Sequence, residues 1–238
     1  AHYQYALALA PQNPDALLNA AATLHALHRS EEALPRLDKL LALGERVPEA
    51  LLNRGIIFHA LHRFEEALTS FDQLLVLQPD HAEGLMNRGN ALLSLGRAEA
   101  ALADYDQALV LKPDDADLLV NRGNGLLDLE RFEAALASFD FALHCRADCV
   151  PALSHRAIAL RHLNRNLEAL ASCGRALELD PENLDALLNQ GTARFLLARP
   201  AEAIASFDRA LALKPDFAAA HSNKIFVLDY LPDLGFEE

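Results

Sequence analysis

Apolar residues in this chain recur at helical spacing, in short blocks separated by turns. Residues 82–115 show the pattern clearly, with one apolar block before the Gly96-Arg97 step and a second block after it. These apolar positions are Leu85, Leu92 and Leu93, then Ala101, Leu102, Tyr105, Ala108 and Leu109. Residues at such spacing share one face of an α-helix. The segment therefore predicts two amphipathic helices joined by a tight turn.

The same pattern returns every 34 residues without insertion or deletion, and six units begin at Pro14, Pro48, Ala82, Ala116, Val150 and Leu184. Position 20 of each unit is Ala, and position 8 is Gly or Ala. Position 24 is large and apolar in every unit except the fifth, which has Cys173. A single hairpin cannot bury its apolar face alone, so neighbouring hairpins must stack. The pattern predicts an all-α array.

The period also predicts the domain organisation, which is a single array over residues 1–238. We expect residues 1–13 to be the second helix of a truncated repeat, 218–231 the first helix of a further repeat, and 232–238 the start of a linker. The six full repeats are 14–47, 48–81, 82–115, 116–149, 150–183 and 184–217. Because the array begins in the middle of a hairpin, we expect a fragment of a longer chain.

The period, the small residues at positions 8 and 20, the aromatic position 24 and the Pro near position 32 resemble the tetratricopeptide repeat. The resemblance implies a right-handed superhelical solenoid of stacked antiparallel helix hairpins. It also implies that the first helix of each hairpin lines a concave surface, with positions 2, 5, 6, 9, 12 and 13 facing inward. An ordinary Ala-rich helical bundle is the alternative, and the gapless period argues against it.

Position 6 holds a column of polar side chains, namely Asn19, Asn53, Asn87, Asn121, His155, Asn189 and Asn223. Asn is a poor helix former, so its recurrence in mid-helix needs a reason. An amide offers donors and an acceptor that complement a peptide unit. We interpret the column as a site that holds an extended polypeptide by its backbone, with Asn90 and Asn124 at position 9 adding selectivity. The alternative is that each amide bonds a neighbouring repeat or water.

This column resembles the one in the repeat superhelix of bacterial O-linked N-acetylglucosamine transferases and SPINDLY-like proteins. The same resemblance extends to segments 87–93 and 121–127 and to the tail segments 221–223 and 230–234. The resemblance implies a non-catalytic arm that recruits substrates or adaptors, with a glycosyltransferase domain beyond Glu238. A free-standing scaffold for assembly of a multiprotein complex is the alternative. A chaperone adaptor is disfavoured, because position 2 is mostly acidic where such adaptors carry Lys or Arg.

Charge and composition disfavour nucleic acid and membranes as partners and leave a protein partner. There are 21 Lys and Arg against 34 Asp and Glu, and 21 − 34 gives a net charge of −13, which repels nucleic acid and anionic membranes. No apolar run approaches the ~18 residues that span a bilayer. We expect a polypeptide partner, no cofactor and a cytoplasmic location, and leave self-association open. Three cysteines form no disulfide framework, namely Cys145, Cys149 and Cys173.

Two His-x-x-His pairs, His25 with His28 and His59 with His62, lie one repeat apart. Stacking could gather four imidazoles in one patch suited to zinc or nickel. No carboxylate or thiolate of a mixed site accompanies them, so surface histidines are the favoured interpretation. We predict no metal site and no catalytic residue.

A charge series crosses the repeat boundaries. Position 25 is acidic in five units and position 7 of the next unit is basic after each of them, while the series breaks jointly at Gly174 and Gln190. The predicted pairs are Asp38–Arg54, Asp72–Arg88, Asp106–Arg122, Asp140–Arg156 and Asp208–Lys224. We predict ion pairs between adjacent repeats.

Overall fold

A computed structural model of the chain describes residues 10–230, which contain thirteen α-helices and no strand. The helices are α1 (Pro14–Ala26), α2 (Ser30–Leu43), α3 (Val47–Ala60), α4 (Phe64–Leu77), α5 (Ala82–Ser94), α6 (Ala98–Leu111), α7 (Ala116–Asp128), α8 (Phe132–Cys145), α9 (Val150–His162), α10 (Asn166–Leu179), α11 (Leu184–Leu196), α12 (Pro200–Leu213) and α13 (Ala218–Asp229). They form two compact units, which divide between Pro113 and Asp114. The predicted tail segment 232–238 and the segment 1–9 lie outside the described residues.

Helices pair into hairpins within each unit, and the hairpins stack. The first helices, which are the odd-numbered ones, also touch each other: α1 packs on α3 and α3 on α5 in the first unit. In the second unit α7 packs on α9, α9 on α11 and α11 on α13. Within the described part of either unit, second helices of neighbouring hairpins do not pack directly on one another. The first helices therefore form the tighter side of each stack.

Position 8 must be small because the aromatic ring of position 24 packs directly against it. A Cβ atom added to Gly55 would come within 2.4 Å of Phe71 Cε1, and one added to Gly123 would come equally close, 2.4 Å, to Phe139 Cε1. The two repeats with Ala at position 8 carry smaller side chains at position 24: Ala21 is matched with Leu37 and Ala157 with Cys173. The two positions thus compensate in size, and the rings are buried.

The turn within each hairpin requires a left-handed residue at position 15. In the six hairpins the residues with this conformation are His28, His62, Gly96, Glu130, Asn164 and Ala198, with φ values of 57, 59, 71, 56, 60 and 57°. A side chain with a Cβ atom is disfavoured there by contact with the following carbonyl oxygen. Only the third repeat has the glycine that this backbone favours.

We expect Ala198→Gly to raise the free energy of unfolding by roughly 0.5–1 kcal/mol, because the strain of the left-handed Ala exceeds the entropy that glycine adds to the unfolded chain. Urea denaturation followed by circular dichroism measures the change. Gly96→Ala is the matched control and should lower the stability by a similar amount. If both substitutions raised the stability, or both lowered it, the result would contradict this account of the turn.

The predicted inter-repeat ion pairs are confirmed at four of the five boundaries. Their shortest nitrogen to oxygen distances are 3.2 Å for Arg54–Asp38, 2.9 Å for Arg88–Asp72, 2.5 Å for Arg156–Asp140 and 2.6 Å for Lys224–Asp208. The two residues of the fifth pair, Asp106 and Arg122, belong to different units, and that pair stays a prediction. Where the series breaks, Gln190 accepts a hydrogen bond from Ser206 Oγ of its own repeat at 3.2 Å.

The same arginines have a second partner, at position 23 of their own repeat. Arg54 bonds Ser70 Oγ at 3.1 Å and Arg156 bonds Ser172 Oγ at 2.6 Å. In the third repeat the partner is Asp104, which Arg88 binds with two nitrogens, at 2.8 and 2.6 Å. Each of these basic side chains therefore ties its own hairpin together as well as linking it to the preceding one.

Candidate peptide-binding surface

The surface formed by the first helices is the part of each stack on which position 6 lies. We call it the inner surface: the solvent-facing sides of α1, α3 and α5 in the first unit, and of α7, α9, α11 and α13 in the second. Its helices pack directly on their neighbours within each unit. Within each unit, side chains that recur every 34 residues therefore follow one another along this surface.

In the first unit the amides of position 6 remain available to a ligand. Asn53 Nδ2 donates to the Glu49 carbonyl at 2.8 Å, and Asn87 Nδ2 donates to the Glu83 carbonyl, also at 2.8 Å. This local bond holds each amide in place but uses only one of its donors. Both side chains are partly exposed. Their second N–H and their oxygen make no bond to the described protein.

In the second unit, two amides of the column bond the preceding repeat. Asn189 is only 7% exposed, and its Nδ2 donates to the Ser154 carbonyl of the preceding repeat at 3.4 Å. Asn223 Nδ2 donates to Thr192 Oγ1 at 3.3 Å, again in the preceding repeat. Both contacts match the alternative interpretation of the sequence, in which the amide bonds a neighbouring repeat. The column therefore contains two kinds of amide.

The remaining predicted positions differ in their surroundings. Asn19 is exposed, while Asn121 and Asn124 are partly buried. Asn90 accepts a hydrogen bond from the Tyr105 hydroxyl at 2.8 Å, so its oxygen is already occupied. The sequence contained a signal for this contact, since Tyr105 is the only tyrosine at position 24 of the six full repeats.

His155 replaces Asn in the column and lies beside Phe139, with ring centroids 6.0 Å apart. Its Nδ1 is buried without a hydrogen-bond partner among the described residues. Burial lowers the pKa of His155, and the nearby Asp185 carboxylate acts in the opposite direction. The neutral imidazole is therefore favoured, which suits a packing role.

The weak metal candidate is not assembled. His25 Nδ1 lies 2.9 Å from Ser30 Oγ, whereas His59 Nε2 lies 3.2 Å from Ser94 Oγ. His59 and His62 both contact the Phe64 ring, and His28 is an exposed turn residue. Residues 10–230 contain no group of three or more His, Cys, Asp or Glu that could hold a metal ion. The histidines instead have separate partners: His25 bonds Ser30 of its own hairpin, and His59 bonds Ser94 of the next one.

The cysteines do not form a reactive site. Cys149 and Cys173 are buried, and Cys145 is partly so. Burial raises the pKa of Cys173 to about 12, so this thiol is protonated at neutral pH. Its place at position 24 shows that it fills the space that an aromatic ring fills in other repeats.

No helix in residues 10–230 has the length and apolar character needed to cross a membrane.

The tetratricopeptide repeat family matches residues 23–68, 60–116, 120–183 and 156–218, and a second tetratricopeptide repeat family matches residues 2–34. A search of curated proteins finds no significant match.

Solved structures share the fold at low sequence identity. A tetratricopeptide repeat protein from Parabacteroides merdae ATCC 43184 is 17% identical with a TM-score of 0.74, over 95% of this chain and 90% of that chain. PilW, described as a widely conserved type IV pilus biogenesis factor, is 21% identical with a TM-score of 0.80, over 88% and 97%. YrrB, described as a TPR protein with an unusual peptide-binding site, is 20% identical with a TM-score of 0.55, over 94% and 98%. At these identities the likeness supports the fold alone.

Proposed function

Because the chain belongs to the tetratricopeptide repeat family, whose repeats form protein–protein interaction modules, we propose that it binds an extended polypeptide along its inner surface. The observation that carries the proposal is the state of Asn53 and Asn87. Each amide is fixed by a bond to the preceding turn, yet keeps an N–H donor and an oxygen acceptor for a ligand. A peptide backbone offers the complementary groups.

The side chains around these amides fit the same ligand. Leu52, Ile56 and Met86 occupy positions 5 and 9 of the inner surface and are partly exposed. A bound chain would therefore meet amides for its backbone and apolar contacts for its side chains. Such a surface binds many sequences, because every peptide has the same backbone groups.

We further propose that the module is the recruiting arm of a glycosyltransferase resembling the O-linked N-acetylglucosamine enzymes. The support is the resemblance of segments 87–93 and 121–127 to bacterial members of that group. A free-standing assembly scaffold is distinguished by one observation, namely whether the reading frame continues past Glu238 into a nucleotide-sugar-binding domain. The three free thiols support a reducing, cytoplasmic setting.

The test is the double variant Asn53→Ala/Asn87→Ala, with a polypeptide selected from a random display library as the probe. Each lost hydrogen bond costs roughly 0.5–1.5 kcal/mol, so we expect affinity to fall by about tenfold or more. Helical content should be retained, because Ala is the better helix former. Fluorescence polarisation measures affinity, and circular dichroism measures helicity.

Asn189→Ala serves as the contrast, because its amide bonds the preceding repeat. It should lower stability while leaving affinity for a ligand of the first unit unchanged. Because backbone groups are common to all peptides, the loss in the double variant should be similar for unrelated selected sequences. Unchanged affinity in the double variant would leave the Asn column as a feature of repeat packing only.

A further inference from the structure

Helix α13 carries an aromatic cluster that the other described first helices lack. Phe226 and Tyr230 occupy positions 9 and 13 of the incomplete seventh repeat, where the six full repeats have neither Phe nor Tyr. Both rings meet Phe195 of α11 edge-on, with ring centroids 5.6 and 5.5 Å apart. With Leu196, Ala198 and Pro200, the three rings line a cavity of about 500 Å³. We call it the terminal cavity.

The lining of the terminal cavity is apolar surface left in contact with water. Tyr230 is 70% exposed, Phe226 60% and Leu196 49%. Aromatic side chains stabilise a protein most when they are buried, and a cavity of this size and lining suits an apolar side chain. The terminal cavity therefore indicates a contact that residues 10–230 do not supply.

Ile225 of the same helix departs from the rule that position 8 is small. Position 8 is Gly or Ala in all six full repeats, whereas in the seventh it is Ile225, which is 57% exposed. A Cβ atom added to Gly191, at position 8 of the sixth repeat, would come within 2.4 Å of the Phe207 ring at position 24. An isoleucine therefore leaves no room for such a ring, so α13 is not suited to pair with a second helix of the usual kind.

The sequence after α13 also departs from the repeat. In the six hairpins, position 15 is left-handed, with φ between 56 and 71°. The corresponding residue of the seventh repeat is Pro232, which follows the described residues. A proline ring holds φ at about −65°, so this residue type excludes the left-handed turn. The chain that follows Tyr230 therefore needs a path other than the hairpin turn.

The residues that follow Tyr230 match the terminal cavity in chemistry. We call residues 231–238 the exit segment, and it begins at a residue that lines the cavity. Within it, Leu234 and Phe236 alternate with polar residues or glycine, so in an extended chain both side chains lie on one edge. Six extended residues span roughly 20 Å, which is enough to bring Phe236 back over the cavity.

Arg199 lies between two residues of the cavity lining and lacks an acidic partner within residues 10–230. At the same position of the preceding repeat, Arg165 is paired with Glu168 at 2.7 Å. The glutamate that corresponds in the sixth repeat, Glu202, instead lies 3.5 Å from Nε of Arg194. The exit segment carries three carboxylates. A cation at the rim of an apolar cavity therefore complements a segment that is both apolar and acidic.

We propose that the exit segment folds back over the terminal cavity and places Leu234 and Phe236 against its aromatic rings. Its carboxylates then lie near Arg199. Because the segment is joined covalently to α13, its effective concentration at the cavity is high without a separate partner. The contact removes the exposed apolar surface of the terminal cavity from water. It requires no bound polypeptide, so it is independent of the proposed function.

The experiment places one fluorophore in the exit segment of the 238-residue chain, which has no Trp of its own. In Phe236→Trp, we expect blue-shifted emission and weak quenching by acrylamide, because the indole is held in the terminal cavity. Adding Phe226→Ala should shift the emission to the red and increase quenching, and Arg199→Gln should do so to a smaller extent. Because Phe226 is largely exposed, the helical signal in circular dichroism should not change.

Glu237→Trp is the matched control, since residue 237 lies on the opposite edge of an extended segment. Its emission should be that of an exposed indole, with or without Phe226→Ala. The blue shift of Phe236→Trp should not depend on protein concentration. A shift that appears only at high concentration would mean that a second copy fills the cavity, and would overturn the proposal. An exposed indole at residue 236, or a blue shift that Phe226→Ala leaves unchanged, would overturn it as well.

Hydrogen exchange measured by mass spectrometry tests the same contact without a tryptophan. The double variant Leu234→Ser/Phe236→Ser should exchange faster than the wild-type chain in residues 195–200, which line the terminal cavity. Gly235→Ser introduces the same residue type on the opposite edge of the segment and should leave that exchange unchanged. Equal exchange in the wild-type chain and the double variant would show that the exit segment does not cover the cavity.

Discussion

Replacing Arg88 by methionine is expected to lower the free energy of unfolding by about 3 kcal/mol, because the substitution leaves the Asp104 carboxylate buried without a cation. Arg88 binds both oxygens of Asp104, at 2.8 and 2.6 Å, and a third nitrogen binds Asp72 at 2.9 Å. The Asp104 side chain is 6% exposed, against 27% for Arg88. We expect the low end of the ~3–5 kcal/mol range for buried pairs, since water reaches the guanidinium. Urea denaturation measures the loss.

The control for this prediction is Arg156→Met, where position 23 is the neutral Ser172 instead of an aspartate. Its cost should be nearer 1 kcal/mol, the value of a lost hydrogen bond. The double variant Arg88→Met/Asp104→Ser should recover much of the stability lost in Arg88→Met. If the double variant were no more stable than Arg88→Met, the buried carboxylate would not be the cause of the loss.

Replacing Gly123 by valine is expected to cost roughly 1–3 kcal/mol through overpacking. A Cβ atom there would lie 2.4 Å from Phe139 Cε1, and the ring is fully buried. Because each repeat contacts chiefly its neighbours, protection from hydrogen exchange should fall most in residues 116–149 and in the adjoining repeat of the same unit. Denaturation and hydrogen exchange measured by mass spectrometry report the two effects.

Gly174→Val is the matched control, because this helical glycine has no atom within 4 Å of a built Cβ. It should change the stability little. The chain also suggests the compensating change: Gly123→Ala with Phe139→Cys reproduces the pair Ala157 and Cys173 of the fifth repeat. That double variant should be more stable than Gly123→Ala alone. Equal losses at Gly123 and Gly174 would show that helix propensity, not contact with the ring, explains the glycine.

Repeat boundaries and helix faces could be read from the sequence because they depend on periodicity. Every hairpin buries the same face, so the same residue types recur every 34 residues. The joint breaks at Gly174 and Gln190 even identified which acidic residue pairs with which basic residue, since partners in contact vary together. Four of these pairs are observed, at 2.5 to 3.2 Å.

The second partner of each arginine was not predicted, although position 23 is polar in all six repeats. In the sequence, the polar residues of position 23 have the types expected on an exposed helix surface. Only the packing of the two helices of a hairpin shows that they contact the arginine. The turn conformation at position 15 was missed for a similar reason, because only Gly96 and Asn164 are residue types that a left-handed backbone favours. In the other four hairpins the residue does not prefer that conformation, and a backbone bond from the following N–H to the end of the first helix, such as Arg29 N to the Leu24 carbonyl at 2.8 Å, closes the turn.

The tetratricopeptide fold, the register of its repeats and the location of the Asn column on the first helices followed from residue type and spacing, because these features repeat with the period. Tertiary structure alone decided what each member of the column does. Asn53 and Asn87 keep groups for a ligand, whereas Asn189 and Asn223 bond the preceding repeat. The physical reason is that hydrogen bonding and desolvation depend on distances of a few tenths of an ångström, which identical residue types at identical spacing do not specify.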